Sequence, residues 1–246
     1  MSDARAAAGS EEDRASRLTT KLPRVIAIDG PAAAGKSTVG RLLGARLGYP
    51  FLDTGAIYRA ATWTALHRGV DLSDDEALTR LAESISIDVG PPGPDGVEPC
   101  TIFVDGEDVT PHLRQPEVEA AVSLVSRVAG VRKALVEVQR QLAGRNSVVM
   151  AGRDIGTVVL PQADLKVYLD ASLEERARRR FVELSAFGMD VTEEGVLEDL
   201  RRRDRIDSQR SVSPLRPADD AITVETDGLT LEGVVERVAV LTEAAP

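Results

Sequence analysis

Residues Gly30, Pro31, Ala32, Ala33, Ala34, Gly35, Lys36, Ser37 and Thr38 follow one another in the spacing G-x-x-x-x-G-K-[ST]. A loop of small side chains lets successive backbone N–H groups turn inward around phosphate oxygens. The helix that follows adds unpaired N–H groups and the positive end of its dipole. Lys36 has the reach for β- and γ-phosphates, and the Ser37 hydroxyl suits Mg²⁺. The chemistry predicted here is binding of a polyphosphate, with every residue of the loop a contact and Lys36 catalytic.

The flanks carry this reading beyond a small-residue turn. Residues 24–29 form a short apolar run of the kind found in buried parallel strands. From Ser37 to Leu47 the apolar residues Val39, Leu42, Leu43 and Leu47 share one helical face, and Gly48 is a natural stop. Strand, loop and helix occur in the order the motif requires.

Two further segments place reactive groups at the ends of predicted strands. Phe51-Leu52 opens a short strand that runs into Asp53-Thr54-Gly55 and then a helix through Tyr58 to His67. Thr54 and nearby N–H groups suit a phosphate at that helix N-terminus, and Arg59 suits a bidentate clamp. Residues 147–151 form another apolar strand, followed by Gly152-Arg153-Asp154-Ile155-Gly156-Thr157. Here an arginine able to hold phosphate oxygens stands beside a carboxylate able to accept from an exocyclic amine. Each segment alone is also explained by a turn with a surface ion pair. Beside the first loop, the three together read as one site.

The remaining elements must bring those segments together. Further strands are predicted at 165–169 and 221–225, and charged helices at 173–185 and 193–210. A short helix is predicted at 74–84. A long helical stretch starts at Pro116 and reaches about Leu142, with a break at Gly130. The series of βα units predicts a mostly parallel sheet covered on both faces, with ligands at the carboxyl ends of its strands. Between about 80 and 115 the texture changes. Residues 85–89 alternate like a half-buried strand, residues 91–96 are turn-formers, and Asp105-Gly106 is a hairpin signal between 100–104 and a piece near Val109. Antiparallel hairpins interrupting a βα series indicate an insertion. The expected organisation is a tail at 1–22, a core at 23–80 and 115–246 and an inserted subdomain at 81–114.

Composition narrows the function class. The chain has 246 residues and a formal net charge of -10, which argues against non-specific nucleic-acid binding. No apolar run reaches the ~18 residues of a membrane span. The single cysteine, Cys100, allows no internal disulfide and suits a reducing cytoplasm. Residues 1–22 lack apolar periodicity and read as a disordered tail. Glu11, Glu12 and Asp13 argue against a transit peptide, and no secretory h-region is present. Arginines crowd into 176–180 and 201–210, which in an acidic chain calls for pairing along the helices or for an anion.

Taken together, the segments resemble the bacterial cytidylate kinases, nucleoside monophosphate kinases of the P-loop type. The carrying residues are 26–38, Asp53-Thr54-Gly55-Ala56-Ile57-Tyr58-Arg59, Val131-Arg132, and Gly152-Arg153-Asp154-Ile155-Gly156-Thr157-Val158-Val159. They continue in 169–176 and in Arg203-Asp204-Arg205-Ile206-Asp207-Ser208-Gln209-Arg210. The likeness covers about 24–240, and its second and fourth blocks are far more specific than the triphosphate loop. Thr54 stands where many members have serine, Ser37-Thr38 where some have Gly-Thr, and the alanines of the loop replace a more glycine-rich version.

The resemblance implies transfer of the ATP γ-phosphoryl to CMP or dCMP, with Mg²⁺, in the cytoplasm, by a monomer without nucleic-acid or membrane partners. It implies that Thr54, Arg59 and Arg153 hold the acceptor phosphate. Ser123, Arg132 and Asp154 would read the cytosine edge, Arg203 and Asp207 would meet the sugar with Arg210 close by, and Tyr58 would line the same pocket. Arg176 and Arg179 would act from a mobile helical lid at about 176–205. Cytosine presents an amine donor beside ring acceptors, so a carboxylate and an arginine match it, and uracil reverses the pattern. A pyrimidine kinase of broader specificity and a shikimate-type kinase are the nearest alternatives, but they lack the hairpin insertion and the Gly-Arg-Asp-Ile-Gly-Thr block. A non-catalytic nucleotide-binding module would need no second anion site.

Overall fold

The computed structural model describes residues 22–91, 100–144, 147–186 and 188–244. The expected N-terminal tail and most of the proline-glycine loop at 91–96 lie outside them. Five parallel strands form the main sheet: β1 (Val25–Asp29), β2 (Phe51–Asp53), β6 (Val148–Ala151), β7 (Leu165–Asp170) and β8 (Ile222–Glu225). Their order is β2-β6-β1-β7-β8, and every pairing is parallel. This is the mixed α/β architecture the βα series predicted.

Both faces are covered, for a reason visible in β1. Ile26 and Ile28 join a cluster with Val39, Leu43, Val167 and Val238, whereas Ala27 joins Leu52, Ile57, Leu135 and Met150 on the other side. Helices α1 (Lys36–Leu47) and α8 (Leu231–Ala244) cover the first face. Helices α2 (Thr54–His67), α3 (Asp75–Ser84) and α5 (Ala129–Ala143) cover the second. Strands buried on both sides need the continuous apolar runs that the sequence shows.

A second, three-stranded antiparallel sheet contains β3 (Ile87–Gly90), β4 (Thr101–Val104) and β5 (Glu107–Asp108). Asp105 and Gly106 join β4 to β5 with φ of 51° and 84°, the pair of left-handed residues that a two-residue hairpin turn requires. Ile102, Val104 and Val109 pack into the same cluster as α2, so this sheet is anchored to the core. The first strand begins two residues later than its alternation suggested. The Ile85 N–H caps α3 by donating to Leu81 O instead.

The long helical stretch divides earlier than expected. Helix α4 (Pro116–Ser126) ends before Arg127, and extended Val128 caps the start of α5. Gly130 therefore lies inside the first turn of α5. A Cβ there would stand 2.2 Å from Thr79 Oγ1, so this glycine serves close helix packing and not a break. Helices α6 (Leu173–Ala186) and α7 (Glu193–Gln209) form an arginine-rich hairpin over the carboxyl ends of the strands.

Candidate active site

Strands β1, β2 and β6 are neighbours, so the segments after Asp29, Asp53 and Ala151 emerge side by side. They surround a cavity of ≈ 550 Å³, a size suited to small-molecule ligands. Among the described residues lining it, basic side chains outnumber acidic ones nine to five. In a chain of net charge -10, that local excess marks the cavity as an anion site.

The loop after β1 follows the phosphate-cradle geometry. Gly35 caps α1 with φ 87°, a left-handed conformation that costs glycine little. Residues 32–38 line the cavity, and Gly30 and Pro31 are not part of its lining. Lys36 is buried, and its Nζ donates to Pro31 O at 2.5 Å. Burial, reinforced by Arg153, pulls the Lys36 pKa well below its usual value, against the pull of Asp53, Asp29 and Asp207. A polyphosphate would supply the negative charge that restores it.

Asp53 ends β2 and caps α2. Its Oδ1 accepts from Gly55 N at 2.9 Å, and its Oδ2 accepts from the Ser37 hydroxyl at 2.8 Å. Burial opposes its charge, but Arg59, Arg114 and those hydrogen bonds outweigh burial and hold its pKa below the usual carboxylate value. A hydroxyl paired with one carboxylate fits Mg²⁺, which keeps waters and takes substrate phosphate oxygens. Among the described residues no cluster of three or more His, Cys, Asp or Glu could hold a metal unaided.

The residues expected on the acceptor side line the same cavity as the loop. Thr54 is buried and donates to Ala151 O at 2.9 Å. Arg153 reaches Asp207 at 3.0 Å, and Arg210 lies 3.5 Å from the same carboxylate. Arg132 donates to Asp154 and to Ser126 O, and its guanidinium stacks 5.2 Å from the centre of the Tyr58 ring. Ser123 and Arg203 line the same cavity.

Arg176 and Arg179, expected in the lid, occupy different places. Arg179 lines the cavity while donating to the hydroxyl and carbonyl of Thr226. Arg176 is buried outside the cavity lining. It donates to Ala171 O at 3.0 Å and to Ala32 O at 3.2 Å, and it pairs with Asp204 at 2.7 Å. In this structure it braces the back of the phosphate loop, and it does not face the cavity as a charge-neutralising lid residue would.

Three acidic residues at the site were absent from the sequence-based set. Asp53 carried the signal of an N-cap before a helix. Asp29 carried that of a charge closing an apolar strand. Its two oxygens accept from Ile155 N and Gly156 N, each at 2.7 Å, which pins the turn after β6 to β1. Burial raises its pKa to about 6 although both hydrogen bonds oppose the rise. Glu119 resembled any helix glutamate, and no local signal distinguishes it.

A phosphate-loop motif beside a basic pocket at the ends of a parallel sheet defines a P-loop α/β protein. The family model described as cytidylate kinase matches residues 26–244. The cytidylate kinase of Roseiflexus castenholzii is 51% identical over 218 residues, covering 88% of this chain and 92% of that protein. That of Pelotomaculum thermopropionicum is 50% identical over 213 residues, covering 87% and 93%. A bifunctional pantoate ligase/cytidylate kinase of a Synechococcus strain is 49% identical over 225 residues, covering 91% of this chain and 41% of that protein. The chain belongs to the cytidylate kinase family. Among the described residues no helix is long and apolar enough to cross a membrane.

Proposed function

We propose that this enzyme transfers the γ-phosphoryl group of ATP to the phosphate of CMP or dCMP, giving ADP and CDP or dCDP. The observation that carries the reading is the buried Arg132–Asp154 pair, which lines the same cavity as the phosphate loop. The pair combines a donor and an acceptor, the two kinds of group a cytosine edge needs.

Residues 30–38 hold the ATP phosphates in this account, and Ser37 with Asp53 would hold Mg²⁺. The ion, when bound, neutralises charge on the phosphate oxygens. Thr54, Arg59 and Arg153 hold the acceptor phosphate. Tyr58, Ser123, Arg132 and Asp154 form the base pocket, and Arg203, Asp207 and Arg210 face the sugar. The attacking oxygen belongs to a phosphate dianion, so no general base is needed. Positioning and charge neutralisation by Lys36 and Arg179 do the work. Arg176 contributes by holding the loop carbonyl of Ala32.

We read residues 23–80 and 115–246 as the core, 81–114 as an inserted NMP-binding subdomain, and about 176–205 as the lid. The small sheet and the helical hairpin support those divisions. A monomer in the cytoplasm is proposed as what the family resemblance implies. A coupled assay with ATP and each nucleoside monophosphate tests the whole reading. Faster turnover of UMP or AMP than of CMP would overturn the assignment.

A further inference from the structure

Glu119, on α4, lies where arginines from four separate segments meet. Its Oε1 accepts from Arg59 Nε of α2 at 2.7 Å and lies 3.8 Å from Arg114, which precedes α4. Its Oε2 is 3.2 Å from Arg203 Nη1 of α7 and 3.8 Å from Arg180 Nη2 of α6. Its backbone carbonyl accepts from Arg203 Nη2 at 2.6 Å. The side chain is 13% exposed. Burial disfavours its charge, but Arg59, Arg203, Arg180 and Arg114 hold its pKa at about 2, so it is ionised at working pH.

A single exposed ion pair holds nothing in place. Here one carboxylate offers both oxygens to two sets of cations. One oxygen serves the acceptor side and the other serves the arginine hairpin. Arg203 and Arg180 also pair with Asp199 at 3.0 Å and Glu183 at 2.9 Å, so what Glu119 adds is the link from the hairpin to Arg59 and Arg114. We propose that Glu119 is a positioning residue that couples occupancy of the acceptor pocket to the placement of the α6–α7 hairpin over the triphosphate. The proposal rests on the kinase reading above. A phosphate that draws on Arg59 redistributes the charge on Glu119, and Arg180 and Arg203 respond through the same side chain.

The test is the isosteric Glu119→Gln in the full chain. Calorimetry gives the Kd of CMP with and without a non-hydrolysable ATP analogue. In the wild type the analogue should tighten CMP about tenfold, a usual size for coupling between two sites. In Glu119→Gln the ratio should fall to within about twofold of one, and kcat about tenfold. A purely structural role would weaken CMP alone and leave the ratio intact. A wild-type ratio in the variant, or no ratio in the wild type, overturns the proposal. If Glu119→Gln does not fold, Glu119→Asp replaces it, because the charge stays while the shorter side chain cannot serve both sets. Retained coupling in Glu119→Asp would equally sink the idea. Product formation by the wild type decides the kinase reading separately.

Discussion

Arg132 donates to Asp154 at 2.5 Å, and the two side chains are only 2% and 4% exposed. Charges so far from water persist because each satisfies the other, and removing one leaves an uncompensated charge at a cost of ~3–5 kcal/mol. The pair is therefore rigid, and it offers a base a donor and an acceptor that cannot exchange roles. Asp154→Asn keeps the shape and loses the pure acceptor. The CMP-to-UMP ratio in kcat/KM should fall about tenfold or more, the worth of roughly one hydrogen bond to a charged group. An unchanged ratio would remove Asp154 from base reading.

Lys36 is held by the carbonyl of Pro31 within its own loop. Lys36→Ala deletes the ammonium without altering the backbone N–H groups of the cradle. Turnover should fall by at least ~10²-fold, as for loss of one preorganised electrostatic donor. Steady-state kcat beside an unchanged circular dichroism spectrum checks this, and near-wild-type kcat would refute it.

The Ser37–Asp53 hydrogen bond places a hydroxyl and a carboxylate together at the mouth of the loop. Asp53→Asn should raise the Mg²⁺ concentration for half-maximal rate about tenfold, the usual cost of losing a supporting ligand. A Mg²⁺ titration at saturating ATP reads this directly. A titration curve identical to that of the wild type would separate Asp53 from the cation.

Asp29 gives a stability profile of defined sign. Its pKa rises from 3.8 to about 6 on folding. The folded protein therefore binds more protons than the unfolded chain between those values. The stabilisation of the neutral acid is complete below the lower value and is lost as pH rises through about 6. The shift is worth ~3 kcal/mol at 1.36 kcal/mol per pKa unit. Urea unfolding of the wild type and Asp29→Asn from pH 4 to pH 7 should show the stability difference shifting against the wild type by up to that amount. A difference independent of pH would contradict the buried, proton-binding carboxyl.

Gly130 and Thr79 test the helix packing. A Cβ at Gly130 would meet Thr79 atoms at 2.2 to 2.8 Å, well inside contact. Gly130→Ala should destabilise by ~1–3 kcal/mol, the usual cost of overpacking. Combining it with Thr79→Ala should restore part of the lost Tm. Equal Tm for wild type and Gly130→Ala would show that α3 and α5 can separate freely.

Local signals determined a large part of this protein. The strand-loop-helix at 24–47, the hairpin turn at Asp105-Gly106 and the apolar runs of a two-sided sheet all depend on near neighbours in the chain. Periodicity and turn chemistry report such neighbours. The division between α4 and α5 did not follow from the same signals. Gly130 has two possible meanings, a helix break or a close approach, and only the position of Thr79 decides between them. Chemical type and position after a strand end named the loop residues, Thr54, Arg59, Arg153 and Asp154, whereas Ser123, Arg132, Arg179, Arg203, Asp207 and Arg210 came from the family resemblance. Which carboxylate each arginine meets was decided by the tertiary structure. Arg176 reaches Ala32 across 144 positions, and Glu119 gathers arginines from before and after it in the chain. Those meetings depend on how helices from distant segments pack over the ends of the sheet, and the residues themselves carry no periodic or local signal of it.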